Sequence, residues 1–141
     1  MSNSGNMSGI VLKERVYSFC QALTLRNIEN LQGLLSDQAT LSWGPYKFVG
    51  KDSVLNWAKE LWEIFPVITF QEKSLEVNGY TAKHEFVIAF VTPEGRKGWL
   101  PCESEYRFND DKIIQLCVKI LHGFVAVNRD EIERVKNHPT R

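Results

Sequence analysis

The sequence lacks the residue patterns that mark several common kinds of functional site. Its three cysteines, Cys20, Cys102 and Cys117, are far apart and form no CxxC pair, and no group of cysteine and histidine has the spacing of a metal site. A phosphate-binding glycine loop and the motifs of serine nucleophiles are also missing. We therefore expect reduced, mostly buried thiols in a cytoplasmic protein that uses neither a metal nor a cofactor.

The chain also has no excess of one charge and no long apolar run. Lys and Arg together number 17, as do Asp and Glu, and this balance argues against nucleic acid as a partner because phosphate backbones attract basic surfaces. A membrane span needs about 20 apolar residues, which no stretch provides. Residues 1–9 are small and polar and lack the apolar stretch of a signal peptide. We expect them to be a disordered tail before a single domain over residues 10–141.

Three amphipathic helices are predicted in the first half of the chain. Apolar side chains recur at helical spacing over residues 10–24 and 28–35, with charged residues between them. A third such pattern covers residues 53–65, with Asp52 or Ser53 as its cap and a proline at its end. This third helix is apolar on more than half of its circumference, so it must be covered on two sides.

The remaining segments have strand composition and short turns. Two short strands, residues 39–43 and 46–49, surround a Gly-Pro turn, and Asn78-Gly79 marks a tight hairpin further along. Beyond the last strand, residues 129–137 predict one or two helical turns. Four longer strands are predicted over residues 67–77, 80–92, 96–109 and 112–121.

These elements together predict an α+β fold. The four longer strands, joined by short turns, form an antiparallel meander in which each strand has an apolar face that needs a partner. The economical arrangement is a curved sheet whose concave side is closed by the helices. We therefore expect a cone-shaped α+β barrel with N-terminal helices packed on a curved, mostly antiparallel sheet.

Three stretches and the order of the elements resemble a known family. The stretches are residues 34–41 (LLSDQATL), residues 49–54 (VGKDSV) and residues 95–109, which begin Gly-Arg-Lys and end Tyr-Arg-Phe-Asn. Over residues 10–121 the pattern resembles the cone fold of the nuclear transport factor 2-like superfamily, above all its SnoaL-like and ketosteroid isomerase-like branches. The resemblance implies a pocket inside the cone and a homodimer formed through the outer face of the sheet.

The resemblance also argues against one activity. Where the ketosteroid isomerase branch has a tyrosine donor, a carboxylate base and a protonated carboxylate, this chain has Phe19, Trp43 and Ser104. An aromatic ring cannot accept the substrate's proton, and a hydroxyl is a weaker hydrogen-bond donor than a neutral acid. We therefore do not expect steroid isomerisation by that mechanism.

Polar residues on apolar strand faces are the candidate catalytic groups. His84, Ser104 and Tyr106 each alternate onto a face that is otherwise apolar, where an imidazole or hydroxyl can orient a ligand or move a proton. The spacing shows no carboxylate partner for His84, and all three side chains have a second interpretation as hydrogen-bonded structural groups. The candidate pocket residues are mostly aromatic or aliphatic: Phe19, Trp43, Tyr46, Trp62, Phe86, Ile88, Cys102 and Leu116.

Two functions are consistent with this sequence. The first is a SnoaL-like protein with a pocket for a small apolar or aromatic molecule, acting as an isomerase, cyclase or dehydratase if it is an enzyme. The alternative is a non-catalytic dimerisation or ligand-binding module of the same fold. A homodimer is expected because the outer face of the sheet is half apolar. That face carries Val87, Ala89, Val91, Gln115, Cys117 and Lys119.

Overall fold

The computed structural model describes residues 8–121 and contains three helices and six strands within them. Residues 1–7 of the predicted tail and the predicted helical turns at residues 129–137 lie outside the described part. The helices are α1 (Gly9–Leu25), α2 (Ile28–Leu34) and α3 (Lys51–Ile64). The strands are β1 (Leu35–Trp43), β2 (Tyr46–Val49), β3 (Val67–Asn78), β4 (Thr81–Val91), β5 (Lys97–Asn109) and β6 (Lys112–Ile120).

All six strands belong to one sheet, in the order β2-β1-β6-β5-β4-β3. Strands β3 to β6 form the predicted antiparallel meander, and β1 joins it by a parallel pairing with β6. The predicted α+β fold, with helices packed on a curved and mostly antiparallel sheet, is confirmed. The sheet is open rather than a closed barrel, because β2 and β3 are its two edges.

Helix α1 has a well-formed cap at each end. The Ser8 hydroxyl accepts a hydrogen bond from the backbone N–H of Val11 at 3.2 Å, which satisfies one of the free donors of the first turn. At the other end Arg26 adopts a left-handed conformation with φ of 57°, and its backbone N–H bonds back to the last turn. The helix consequently begins at Gly9, one residue before the predicted start.

Two predicted boundaries differ from the structure by more than one residue. Helix α3 begins at Lys51 after Gly50, whose φ of 94° suits glycine and turns the chain into the helix. Asp52 therefore lies in the first turn, where its carboxylate faces the positive end of the helix dipole, and it is not the cap. Strand β1 begins at Leu35, four residues before the predicted start at residue 39, and its pairing with β6 shifts register between Leu35 and Thr40.

The core lies between the concave face of the sheet and helices α1 and α3. Aromatic rings tie these layers together: Phe19 of α1 meets Tyr106 of β5 edge-on at 5.9 Å, and Trp57 of α3 lies 5.7 Å from Trp43 of β1. Each ring buries a large apolar area, which contributes roughly 2 kcal/mol or more per side chain relative to exposure. Within residues 8–121, no helix is both long and apolar enough to cross a membrane.

Candidate functional site

Most of the predicted pocket residues meet at the centre of the cone, but they leave little space there. The remaining cavity is about 20 Å³, enough for one water molecule. Ser104 and Tyr106 are its polar residues, and both are buried. Its lining consists of Phe19, Leu23, Trp43, Trp57, Leu61, Phe70, Phe86, Ile88, Ser104, Tyr106, Leu116 and Val118.

Three other predicted pocket residues lie outside this lining and have packing roles. Cys102 is completely buried and its thiol lies 3.4 Å from the carbonyl oxygen of Leu100. The indole N–H of Trp62 donates to the carbonyl oxygen of Leu23 at 2.8 Å, which fastens α3 to α1. Tyr46 lies opposite Trp43 in the β1–β2 pair and packs against the edge of the core.

A larger concave surface lies beside the cavity, between α1 and strands β3 and β4. We call it the α1 groove, and its volume is about 360 Å³. Phe70 lines both the groove and the central cavity, and its ring lies 5.6 Å from that of Phe86. The groove is therefore separated from the interior of the cone by one half-buried ring. Its lining residues are Tyr17, Cys20, Gln21, Thr24, Leu25, Thr69, Phe70, Glu72 and His84.

His84 is the unusual residue of this groove. Its side chain is 2% exposed, and neither ring nitrogen has a hydrogen-bond partner among residues 8–121. The ring stacks on Phe86 at 4.7 Å. Burial lowers the pKa of His84, and the nearby Glu72 carboxylate opposes that shift. At neutral pH the imidazole is thus uncharged, with one donor and one acceptor nitrogen unused at the groove.

Ser104 and Tyr106 lie on the strand next to His84. Ser104 is directly opposite His84 in the β4–β5 pair, so both face the concave side. The Tyr106 phenol is hydrogen-bonded to the Cys20 thiol, and burial raises the pKa of Tyr106 well above its usual value. The phenol therefore stays protonated and can donate. Burial also raises the pKa of Cys20 to about 12, so this thiol is not a nucleophile at neutral pH.

Glu72 is the functional candidate that the sequence interpretation missed. It is opposite Phe86 in the β3–β4 pair, immediately before a bulge that shifts the register between Glu72 and Ser74. Its carboxylate accepts a hydrogen bond from the Tyr17 hydroxyl at 2.9 Å. Alternation from Ile68 through Phe70 places Glu72 on the apolar face of β3. A charged residue on an apolar face is the sequence pattern that could have identified Glu72 as a candidate.

A family model for the SnoaL-like domain matches residues 16–116, which is more than half of the chain. The chain therefore belongs to the SnoaL-like domain family, within the nuclear transport factor 2-like superfamily, and the predicted resemblance is confirmed. Among proteins with curated descriptions, none matches this sequence.

Solved structures with the same fold are distant in sequence. A nuclear transport factor 2-like protein from Anabaena variabilis has a TM-score of 0.74 at 17% identity, covering 87% of this chain and 96% of that one. IdmH from Streptomyces antibioticus, a candidate polyketide cyclase, has a TM-score of 0.70 at 13% identity, covering 77% of this chain and 91% of that one. AclR from Streptomyces galilaeus, a candidate hydroxylase, has a TM-score of 0.72 at 14% identity, covering 92% of this chain and 83% of that one. At such identities these structures show a shared fold.

Proposed function

We propose that this protein binds a small, largely apolar or aromatic molecule in the α1 groove and moves a proton of that molecule through His84. The observation that carries the proposal is the buried imidazole at the wall of the groove, whose two nitrogens have no hydrogen-bond partner in the described part of the chain. A buried polar group without a partner costs about 1–3 kcal/mol. A ligand that hydrogen-bonds His84 recovers this cost, so the site favours a molecule with its own polar atom.

The chemistry that fits is proton transfer without a cofactor, as in an isomerase, cyclase or dehydratase. The neutral imidazole accepts a proton from a C–H next to a carbonyl, and the electron pair of that bond moves to the carbonyl oxygen as an enolate. Ser104 lies opposite His84 and Tyr106 follows on the same face, so their hydroxyls are the nearest candidates to stabilise that oxygen. A ligand reaches them when the Phe70 ring turns aside, because this ring separates the groove from the cavity.

The relatives support the same class of ligand. IdmH is a candidate polyketide cyclase and AclR a candidate hydroxylase, and a polyketide is a small organic molecule. Their low identity leaves the choice of substrate to the residues of this chain, for which the resemblance predicts Phe19, Trp43 and Ser104 in place of the acid-base groups of the ketosteroid isomerases.

A thermal-shift panel of neutral hydrophobic ketones and phenols tests this proposal. At least one compound is expected to raise the unfolding midpoint, since a ligand that binds the native state stabilises it. Thr24→Trp places an indole in the groove and should abolish the shift. Ser18→Trp is the matched control, because Ser18 is exposed on the same helix and does not line the groove.

Two results would count against binding in the groove. One is a panel in which no compound changes the midpoint of the wild-type protein. The other is a compound whose shift persists in Thr24→Trp. For a compound that binds, His84→Gln should weaken the shift if the imidazole anchors the ligand.

The second candidate function is homodimerisation through the outer face of the sheet. Trp99 is 41% exposed there, beside the half-buried Ala89 on the neighbouring strand. Two pairs of oppositely charged residues lie on the same face: Lys83 is opposite Glu105, and Glu103 is opposite Lys119. An apolar patch beside charges of both signs suits a second copy related by a two-fold axis, because the same patch then contacts itself and charges of both signs are available to pair across the interface.

Sedimentation at micromolar concentration tests the dimer. The wild-type protein is expected to sediment as a dimer and Trp99→Glu as a monomer. Ile10→Glu is the control, because Ile10 is exposed on α1, away from this face. A wild-type monomer at that concentration would exclude this function.

A further inference from the structure

Glu72 lies on the concave face of β3, next to His84. It is opposite Phe86, and His84 precedes Phe86 by two residues on the same face of β4. Glu72 and His84 are thus diagonal neighbours, which lie within reach of long side chains. The bulge that follows shifts the register of the next residues of β3 against β4, so that Leu75 lies opposite His84. Glu72 is therefore the acidic residue that this strand directs to the groove.

Tyr17 holds the Glu72 carboxylate at the groove. Its hydroxyl donates to Glu72 Oε2 at 2.9 Å across the space between α1 and β3. Tyr17 and Cys20 are three residues apart on α1, so both side chains face the groove from the same side of the helix. The hydrogen bond to Glu72 raises the pKa of Tyr17, so the tyrosine stays a donor at neutral pH.

Glu72 is also the charged group of this site. Of the described residues that line the groove, it is the one that belongs to the acidic or basic amino acids Asp, Glu, Lys and Arg. The titratable groups that face His84 from neighbouring elements are Tyr17 and Cys20 of α1 and Tyr106 and Cys102 of β5. Their pKa values are all raised, chiefly by burial and, for Tyr17, by Glu72, so they are neutral.

We propose that Glu72, held by Tyr17, is a positioning residue that stabilises the protonated form of His84 and makes the groove select neutral ligands over anionic ones. The selection of ligands rests on the proposed binding function, whereas the effect on His84 does not. When a neutral ligand gives its proton to the imidazole, the new imidazolium faces the Glu72 carboxylate, while the electron pair of the broken bond stays on the ligand. A ligand that arrives as an anion meets the Glu72 charge before any proton has moved.

The first test is an NMR titration of His84 in the full chain. Histidine labelled at the imidazole carbon reports three side chains, His84, His122 and His138, and the signal missing in His84→Gln identifies His84. Glu72→Gln is expected to move the His84 midpoint to lower pH, and Tyr17→Phe should move it in the same direction by less. Added salt should reduce the difference in the His84 midpoint between the wild type and Glu72→Gln, because Glu72 is exposed and its charge is screened.

Glu76→Gln is the matched control for this titration. Glu76 is exposed on the same strand, so the substitution removes a charge of the same sign from β3. Glu76 lies opposite Lys83, the residue next to His84 in sequence. If Glu72→Gln and Glu76→Gln shift the His84 midpoint equally, or if Glu72→Gln leaves it unchanged, the proposal is overturned.

The second test compares 2-naphthol with 2-naphthoate, which have the same ring system and differ in charge at neutral pH. The wild-type protein should bind the naphthol more tightly, and Glu72→Gln should reduce the preference by about two- to threefold at low salt, as expected for an exposed charge. A preference unchanged in Glu72→Gln overturns the selection of ligands by this residue. If neither compound binds, the selection of ligands by Glu72 is overturned for this pair, the thermal-shift panel decides the binding function, and the titration decides the relation between Glu72 and His84.

Discussion

The two ends of the concave face differ in how completely they are packed. At the packed end, which α3 covers from Trp43 and Trp57 to Phe65 and Phe90, aromatic rings meet at 4.1–5.7 Å and the central cavity is reduced to about 20 Å³. At the α1 groove the space is about 360 Å³, and neither ring nitrogen of the buried His84 has a hydrogen-bond partner within residues 8–121. Proteins keep such violations of packing and hydrogen bonding mainly at functional sites. The difference therefore agrees with a stabilising role of the first end and supports the proposal that the second end binds a ligand.

The largest expected effect comes from truncating a side chain at the centre of the packed region. Leu116 is buried and lines the small cavity, so Leu116→Ala removes contacts and enlarges a void that the rigid rings around it cannot refill. We expect the free energy of unfolding to fall by about 3 kcal/mol. Urea denaturation of the two proteins measures it.

Leu25→Ala is the matched control from the groove. Leu25 is 63% exposed, and its truncation should change the free energy of unfolding by less than about 0.5 kcal/mol. Equal losses for the two substitutions would break the contrast between the ends.

Gly98 tests the packed end from the backbone. A Cβ at this position would lie 2.3 Å from the Cζ atom of Phe90, whose ring packs on Phe65 at 4.1 Å. Gly98→Ala must displace this ring, and we expect a loss of about 2 kcal/mol in urea denaturation. Gly33→Ala in α2 meets no atom within 4 Å and should instead stabilise the protein by about 0.5 kcal/mol, because alanine is the better helix former. A neutral Gly98→Ala would show that the Phe90 ring is free to move.

The packed end was largely predictable from sequence, and the groove was not. Alternation in the strands identified the apolar face, and the hairpin signal at Asn78-Gly79 correctly predicted that β3 pairs with β4 in antiparallel fashion. Phe19, Trp43, Phe86, Ile88 and Leu116 consequently meet inside the cone as expected. Periodicity is reliable there because the alternation along each strand determines which residues share the buried face.

The groove depends on two features that periodicity does not encode. One is the bulge after Glu72, which breaks the alternation of β3 and places Leu75 instead of Ser74 opposite His84. The other is the contact between α1 and β3, where Tyr17 and Glu72 are joined although they are 55 residues apart in sequence. The amount of space left in the cone was equally inaccessible, because it depends on how the rings pack and not on which residues are apolar.

Replacing His84 by an apolar residue should stabilise the protein, whereas Leu116→Ala and Gly98→Ala at the packed end should destabilise it. Leucine has a similar volume and carries no unpartnered nitrogen, so His84→Leu should raise the free energy of unfolding by about 1 kcal/mol while it abolishes ligand binding. His84→Asn keeps a buried polar group and should give no such gain. A His84→Leu protein less stable than the wild type would mean that the imidazole already has a partner in solution.

The smallest effect is a dependence of stability on pH that belongs to the groove alone. Because burial lowers the pKa of His84, the unfolded chain binds a proton there at a higher pH than the folded protein does. The free energy of unfolding should therefore be highest above the unfolded pKa of about 6.5 and fall as the pH decreases toward the folded pKa. His84→Leu lacks this titrating group, so its free energy of unfolding should decrease less than that of the wild type between about pH 7.5 and pH 5.5. The other two histidines cancel in the difference between the proteins, and parallel curves would show that the groove does not hold His84 in its neutral form.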